Sequence, residues 1–370
     1  MIKNKKSIII YLAIIISIIL LTVFVTNTGR IVQEQKKIKI GIITPTTGQL
    51  SFLGENIVRS AELAVDDLGY NDSVQLIVED AGNVGGNIES ISAYRKLVDI
   101  DNVDIIIDGM SSDGTMAVSS LLSQDKMVMI TPVTGGENID NASDYLLRNG
   151  PSDIYAGTKP AEDFERLGYK KIALFTDNAE YTLDISRHFK QSYNGEIVLD
   201  AIVSPDSTDF HTTIAKMQDY DAILILTSTG QSGAYIIKQL CEQGNTKPIY
   251  GNFILYNQDA IKMVGSCMDN VKVYYPQISD NPAADKFLEE YESRYKTKPP
   301  IIFHATGTYD AIRMSVEAAM NSGHDGAKIR QYLLDNIKNW NGLNGNVTFD
   351  SRGHVIGGFV LMSIVNGSLQ

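Results

Sequence analysis

The residue types that carry most enzyme chemistry are sparse in this sequence and poorly spaced for it. The five histidines, His188, His211, His304, His324 and His354, include no H-x-x-x-H or similar pair, the spacing that puts two imidazoles on one helix face around zinc. No phosphate-binding glycine loop occurs. Val84-Gly-Gly86 lacks both the Lys-Ser/Thr of a nucleotide loop and the spacing of a dinucleotide fingerprint, and reads as a turn. Ser112 has no base near it in sequence, as a serine nucleophile would need, although His304 could approach it through the fold. The only cysteines are Cys241 and Cys267; a bond between them is open, and a large α/β core does not require one. The expectation is a protein that binds without covalent chemistry, with no metal and no cofactor.

The bulk composition bounds the partners. A chain of 370 residues, 44% hydrophobic and 21% charged, buries a sizeable core and has room for about two domains. Lys3, Lys5, Lys6 and Arg30 flank one apolar run, which leaves 28 Lys and Arg against 44 Asp and Glu downstream, a net charge of −16. Such a surface repels nucleic-acid phosphates and anionic lipid headgroups. From Ser7 to Gly29 no residue is charged and Ile8 to Val25 is almost wholly aliphatic, long enough to cross a bilayer as one helix. The preceding lysines hold the N-terminus inside and place everything after Arg30 outside. The expectation is an uncleaved anchor over 1–30 with a tether over 31–37, the competing reading being a cleaved signal peptide. No Cys follows the run, so lipid attachment in the bacterial lipoprotein manner is excluded.

Positioning any site falls to the elements beyond the tether. Short β-branched runs recur at Ile38–Thr44, Val74–Val78, Val103–Ile107 and Met127–Ile130, too apolar for one-sided strands and suited to a parallel sheet covered on both faces. Helical patterns at Glu55–Leu68, Ile88–Val98 and Thr115–Ser123 separate them. The rhythm restarts after Gly150-Pro151, with strands at Lys171–Thr176, Glu196–Val203, Ala222–Thr227 and Pro248–Tyr250 and helices starting near Asp184, Phe210 and Gly233. This is a pair of doubly wound α/β units. The last ninety residues add helices at Pro282–Tyr295, Phe303–Asn321 and Ala327–Ile337, then strands Gly345–Phe349 and Ile356–Val365 joined by the turn Asp350–Gly353. Additions of this kind complete existing sheets, so the chain passes between units more than once and leaves a cleft where strand ends face each other.

From Ile38 to about Ser363 the chain resembles the type I periplasmic solute-binding proteins of ABC importers, in the branch of the leucine/isoleucine/valine-binding protein. The residues that carry the likeness are Ile38–Thr44 with Thr47-Gly48 and Gly54, Val78-Glu-Asp80, Val103–Gly109 with Ser111-Ser112, Ile130-Thr-Pro132, Arg148-Asn-Gly150, Tyr309-Asp-Ala311 and Leu343–Gly353. The resemblance implies two Rossmann-like lobes joined by a three-crossover hinge, with crossovers near Arg148–Ser152, Tyr274–Ile278 and Trp340–Gly345. Lobe 1 is then 38–150 with 279–340, and lobe 2 is 151–278 with 341–370.

By the same resemblance, Ser112, with Ser111 beside it, is the hydroxyl that meets a ligand carboxylate at a helix N-terminus, where free N–H groups favour an anion; either serine also suits a helix cap. Thr134 is the contributor from Pro132–Gly136, where Gly135 or Gly136 replaces a second hydroxyl residue of the family. Tyr181 is the aromatic that closes over the ligand from lobe 2, Phe52 stands where the family sets an aromatic against the ligand side chain, and Ser228 ends a lobe 2 strand at the cleft. The family's amino-acid binders pair the ligand ammonium with an acid on lobe 2, but this chain reads Tyr250-Gly-Asn-Phe253 there. Asp177, Glu180 or Asp113 would have to replace that acid, or the ligand carries no ammonium. The implied function is an extracytoplasmic receptor that captures an amino acid or similar small polar solute for a permease with its ATPase subunits. The alternative, a sensory binding protein that signals through a separate membrane partner, uses the same cleft.

Overall fold

The computed structural model describes residues 14–18, 36–48, 50–82, 87–277, 281–355 and 358–370. Residues 1–37 and 38–370 are separate units. In the first, Ile14, Ile15, Ile16 and Ile18 lie exposed on a short helical stretch. The rest of the expected anchor, like the turn at 84–86, lies outside the described residues. Among the described residues no helix is long and apolar enough to cross a membrane.

The second unit opens with β1 (Ile38–Thr44), α1 (Ser51–Asp67), β2 (Val74–Asp80), α2 (Asn87–Arg95), β3 (Ile105–Asp108), α3 (Ser112–Asp125), β4 (Met129–Thr131) and β5 (Leu146–Arg148). These strands form one parallel sheet in the order β2-β1-β3-β4-β5. Their aliphatic runs face two ways. Ile40, Ile42, Ile105 and Ile107 enter one core cluster, while Ile43 and Ile106 enter the cluster on the opposite face, as the two-residue period of a strand demands.

The chain continues through α4 (Asp153–Leu167), β6 (Lys171–Asp177), α5 (Glu180–Ser192), β7 (Glu196–Val203), α6 (His211–Ile214), β8 (Ala222–Leu226), α7 (Gln231–Glu242), β9 (Ile249–Asn252), α8 (Gln258–Val264) and β10 (Lys272–Pro276). Here Ile172, Leu174 and Leu224 pack on one side, with Ala173, Phe175 and Ile223 on the other. Next come α9 (Pro282–Tyr295), α10 (Ile302–Ser322) and α11 (Gly326–Asn336), whose Phe287, Ile312 and Leu333 pack into the first sheet's core. The chain ends in β11 (Trp340–Gly342), β12 (Gly345–Val347), β13 (Phe359–Val365) and β14 (Ser368–Leu369). The second sheet runs β14-β13-β10-β9-β8-β6-β7, with β13 and β14 antiparallel to their neighbours.

Several elements differ from the sequence reading. Strand β5, helix α4 and strand β10 are additional. The strands at 345 and 359 do not form one hairpin: β12 pairs with β11, while β13 pairs with β10 and β14. Leu343, Val347 and Phe349 pack in the first sheet's core, and Arg148 bridges to His354. The last passage to the second sheet therefore follows His354 rather than 340–345.

Candidate functional site

The carboxyl ends of both sheets converge on one cavity of about 70 Å³, room for roughly five waters. From the first sheet come Pro45, Leu50 and Leu53 of the segment after β1, Gly109 and Met110 after β3, Ser111, Ser112 and Asp113 at the start of α3, and Val133 and Thr134 after β4. From the second come Ala179 and Tyr181 around the start of α5, Ser228 after β8, and Phe253 and Ile254 after β9; His304 of α10 completes the wall. Gly54 lets the first of these segments sit where it does, since a Cβ there would stand 1.7 Å from the Pro45 carbonyl oxygen.

Six of the eight residues proposed from sequence are thus brought together: Ser111, Ser112, Thr134, Tyr181, Ser228 and Phe253. Ser111 sits at the N-cap of α3, but its hydroxyl makes no cap hydrogen bond. The Thr134 hydroxyl turns inward, 3.3 Å from Asp108 Oδ2 and 3.2 Å from Thr115 Oγ1. Asp108 is buried and also accepts from the Met110 N–H and the Thr115 hydroxyl. Burial outweighs these bonds and pushes its carboxyl up to about 6. Tyr181 accepts from Asn252 Nδ2 at 3.3 Å and meets the Phe253 ring edge-on at 6.4 Å.

The other two lie elsewhere. Phe52 lines a separate cavity with Ile254, Tyr256 and Pro300 and packs against the second sheet's core. Gly135 is absent from the cavity wall because its loop is tied backward: its carbonyl accepts from the Asp153 N–H at 2.7 Å, and a Cβ on it would lie 2.5 Å from Asp153 Oδ1. The Asp153 carboxyl of α4 thus occupies the space beside Gly135. Asp153 is buried, its Oδ2 has no hydrogen-bond partner, and burial pushes its carboxyl well up.

The three acids considered as replacement counter-charges fare differently. Asp177 is buried and already accepts from the Ser228 N–H and hydroxyl and from the Thr182 hydroxyl. Glu180 accepts from Asn138 Nδ2 at 3.1 Å. Asp113 alone of the three lines the cavity, and burial pushes its carboxyl up. His304, named in the sequence only as a partner for Ser112, shares the cavity with it; its two ring nitrogens are buried without partners. Asp153 carried no sequence signal beyond its place after the first crossover.

Beside the cavity the lobes are clasped. Arg187 of α5 pairs with Glu137 Oε2 at 2.9 Å and with Asp184. The Glu137 N–H donates to Asp184 Oδ2 at 2.9 Å, and His188 Nε2 stands 3.5 Å from Glu137 Oε2. Glu137, Asp184 and His188 are close enough to hold a cation, but the guanidinium already engages both carboxylates.

A sequence profile for the family described as periplasmic binding protein matches residues 37–368. The Leu/Ile/Val-binding protein homolog 7 of Brucella melitensis is 25% identical over 331 residues, 80% of each chain. Among solved structures, the branched-chain amino acid transporter substrate-binding protein LivJ of Streptococcus pneumoniae, in complex with isoleucine, superposes with a TM-score of 0.83 at 25% identity, over 90% of this chain and 98% of that one. A solute-binding protein of an ABC transporter from Rhodopseudomonas palustris, in complex with 3,4-dihydroxybenzoic acid, gives 0.78 at 22% identity over 90% and 95%. With two lobes closing on one cavity and the profile spanning both, the chain belongs to the type I periplasmic binding proteins, in the Leu/Ile/Val-binding protein-like family of ABC transporter substrate-binding proteins, and is a non-enzymatic solute-binding protein.

Proposed function

We propose that the protein captures a small carboxylic acid with an apolar body, an amino acid or an aromatic acid, between its two lobes and presents it to the permease and ATPase subunits of its transporter. The observation that supports this reading is the make-up of the cavity wall. The amino end of α3, with Ser111 and Ser112, supplies donors and a partial positive charge for a carboxylate. Leu50, Leu53, Phe253 and Ile254 supply an apolar slot. Because the walls come from both sheets, ligand contacts favour the closed arrangement, with the inter-lobe passages acting as a hinge. The acidic outer surface and the apolar run at 8–25 fit a receptor held at the outer face of the membrane by its N-terminal helix.

The test is a thermal-shift panel on the full-length protein, with branched-chain amino acids, aromatic acids, their amides and sugars. A ligand bound only by the folded state raises the midpoint. Acids are expected to raise it and the matching amides not, and Ser112→Ala is expected to weaken binding about tenfold by removing one hydrogen bond to a charged group. A response confined to sugars or amides sinks the reading. Branched-chain amino acids shifting the midpoint would make Asp113 or Asp153 the ammonium partner; aromatic acids alone would mean that no partner is needed.

A further inference from the structure

His304 is 4% exposed, lines the cavity, and has neither Nδ1 nor Nε2 hydrogen-bonded. Its ring meets Phe253 edge-on, with centroids 5.6 Å apart, and lies 5.2 Å from the Phe303 ring. Leu50, Leu53 and Ile254 line the same cavity, and none of these five side chains can satisfy an imidazole; the hydroxyls of Ser111, Ser112, Thr134 and Ser228 share the wall but make no hydrogen bond to the ring. An apolar residue would pack among those five without leaving two polar atoms unpaired, which is costly in a buried site. The two acidic side chains on the cavity wall are Asp113 and Tyr181, on α3 and α5, and neither is hydrogen-bonded to the ring. Burial pushes the His304 imidazole down to about 3, so at neutral pH it offers one donor and one acceptor.

We infer that His304 is a specificity-determining residue, and that the ligand's apolar body carries a hydroxyl that hydrogen-bonds its ring. A hydroxyl both donates and accepts, so it matches the neutral imidazole in either tautomer. This rests on the proposed function, which puts the ligand carboxylate at Ser111 and Ser112, and it narrows the class to hydroxylated carboxylic acids. A site built to meet a hydroxyl rejects the analogue that lacks one more strongly than an apolar pocket rejects an added hydroxyl.

The experiment is isothermal titration of the full-length protein with two pairs that differ by one hydroxyl: 4-hydroxybenzoate against benzoate, and tyrosine against phenylalanine. The wild type is expected to bind the hydroxylated member of at least one pair about tenfold or more tightly than its partner. His304→Phe should bring that ratio close to one by weakening the hydroxylated member. His304→Gln, which keeps a donor and an acceptor, should retain part of it and guards against a Phe variant that folds poorly. Equal binding of both members by the wild type, or a ratio unchanged in His304→Phe, overturns the inference while leaving the carboxylate reading intact. If none of the four acids binds, the inference is overturned, while the carboxylate reading is decided separately by the thermal-shift panel, which also contains the branched-chain amino acids.

Discussion

Arg148 is 2% exposed and holds Asp140 Oδ1 at 2.8 Å and the Gly150 carbonyl at 3.2 Å, at the point where the chain leaves the first sheet. His354 Nδ1 also approaches Asp140 at 3.2 Å; burial pushes that carboxyl up, but these two partners hold it below the usual range. Removing the guanidinium leaves a largely buried carboxylate short of a partner, so Arg148→Ala is expected to cost about 3–5 kcal/mol in urea unfolding; a loss under 1 kcal/mol would show that His354 suffices. His304 sets a pH dependence of known sign. Its folded-state value is depressed to about 3 from 6.5, so the unfolded chain takes up a proton that the folded chain refuses. The stability from this group is complete above pH 6.5 and falls as the pH drops toward 3. Between pH 6.5 and 4.5 the wild type should lose up to roughly 2 kcal/mol more than His304→Phe; parallel pH profiles would refute this. Ser112, Thr134, Tyr181 and Ser228 were legible as cavity-lining residues through the family resemblance, and each follows a strand end by a few residues, where α/β sheets gather ligands. Asp153 was not, because its meaning depends on the Gly135 loop packed over it, a contact that no spacing encodes.

Strands β1, β3, β6 and β8 were legible from unbroken aliphatic runs, which only burial on both faces explains. Helix α4 was not, because it contains Gly157 and Pro160, residues that argue against a helix interior. Gly157 is there for packing: a Cβ would lie 2.5 Å from the Ile185 carbonyl oxygen on α5. The three-residue strands β5 and β11 are too short for a two-residue period to show. The cysteines, left open in the sequence, are joined, tying α7 to the turn after α8 with Cα atoms 6.1 Å apart and a sequence separation of 26. Closing a loop of that length removes unfolded-state entropy worth about 3.5 kcal/mol. A Cys241→Ser, Cys267→Ser double variant is expected to lower the thermal midpoint by several degrees and leave ligand affinity within about twofold, since neither residue lines the cavity. A loss of affinity at unchanged stability would contradict this placement.

At the scale of the whole molecule the two lobes meet through a clasp on one flank of the cavity. Arg187 is about half exposed, so its pairs add little to stability, but the one with Glu137 forms only when Glu137 of lobe 1 lies against α5 of lobe 2. Arg187→Glu sets a like charge against Glu137 and Asp184. It is expected to leave the unliganded midpoint nearly unchanged, to speed ligand release about tenfold and to alter association little. Stopped-flow release is the check, and an unchanged release rate would show that the clasp follows closure rather than stabilising it. A further consequence comes from where the two-lobed unit starts and stops. Strand β1 runs from Ile38 toward the cavity at Pro45, so its first residue sits at the far end of lobe 1. Strand β14 forms the edge of the second sheet and finishes at Leu369. The two ends ride on different lobes, each away from the hinge, so a donor dye before residue 38 and an acceptor dye after residue 370 would convert lobe closure into a change in energy transfer. The protein would then serve as an optical sensor for its own ligand, with no dye near the residues that bind it.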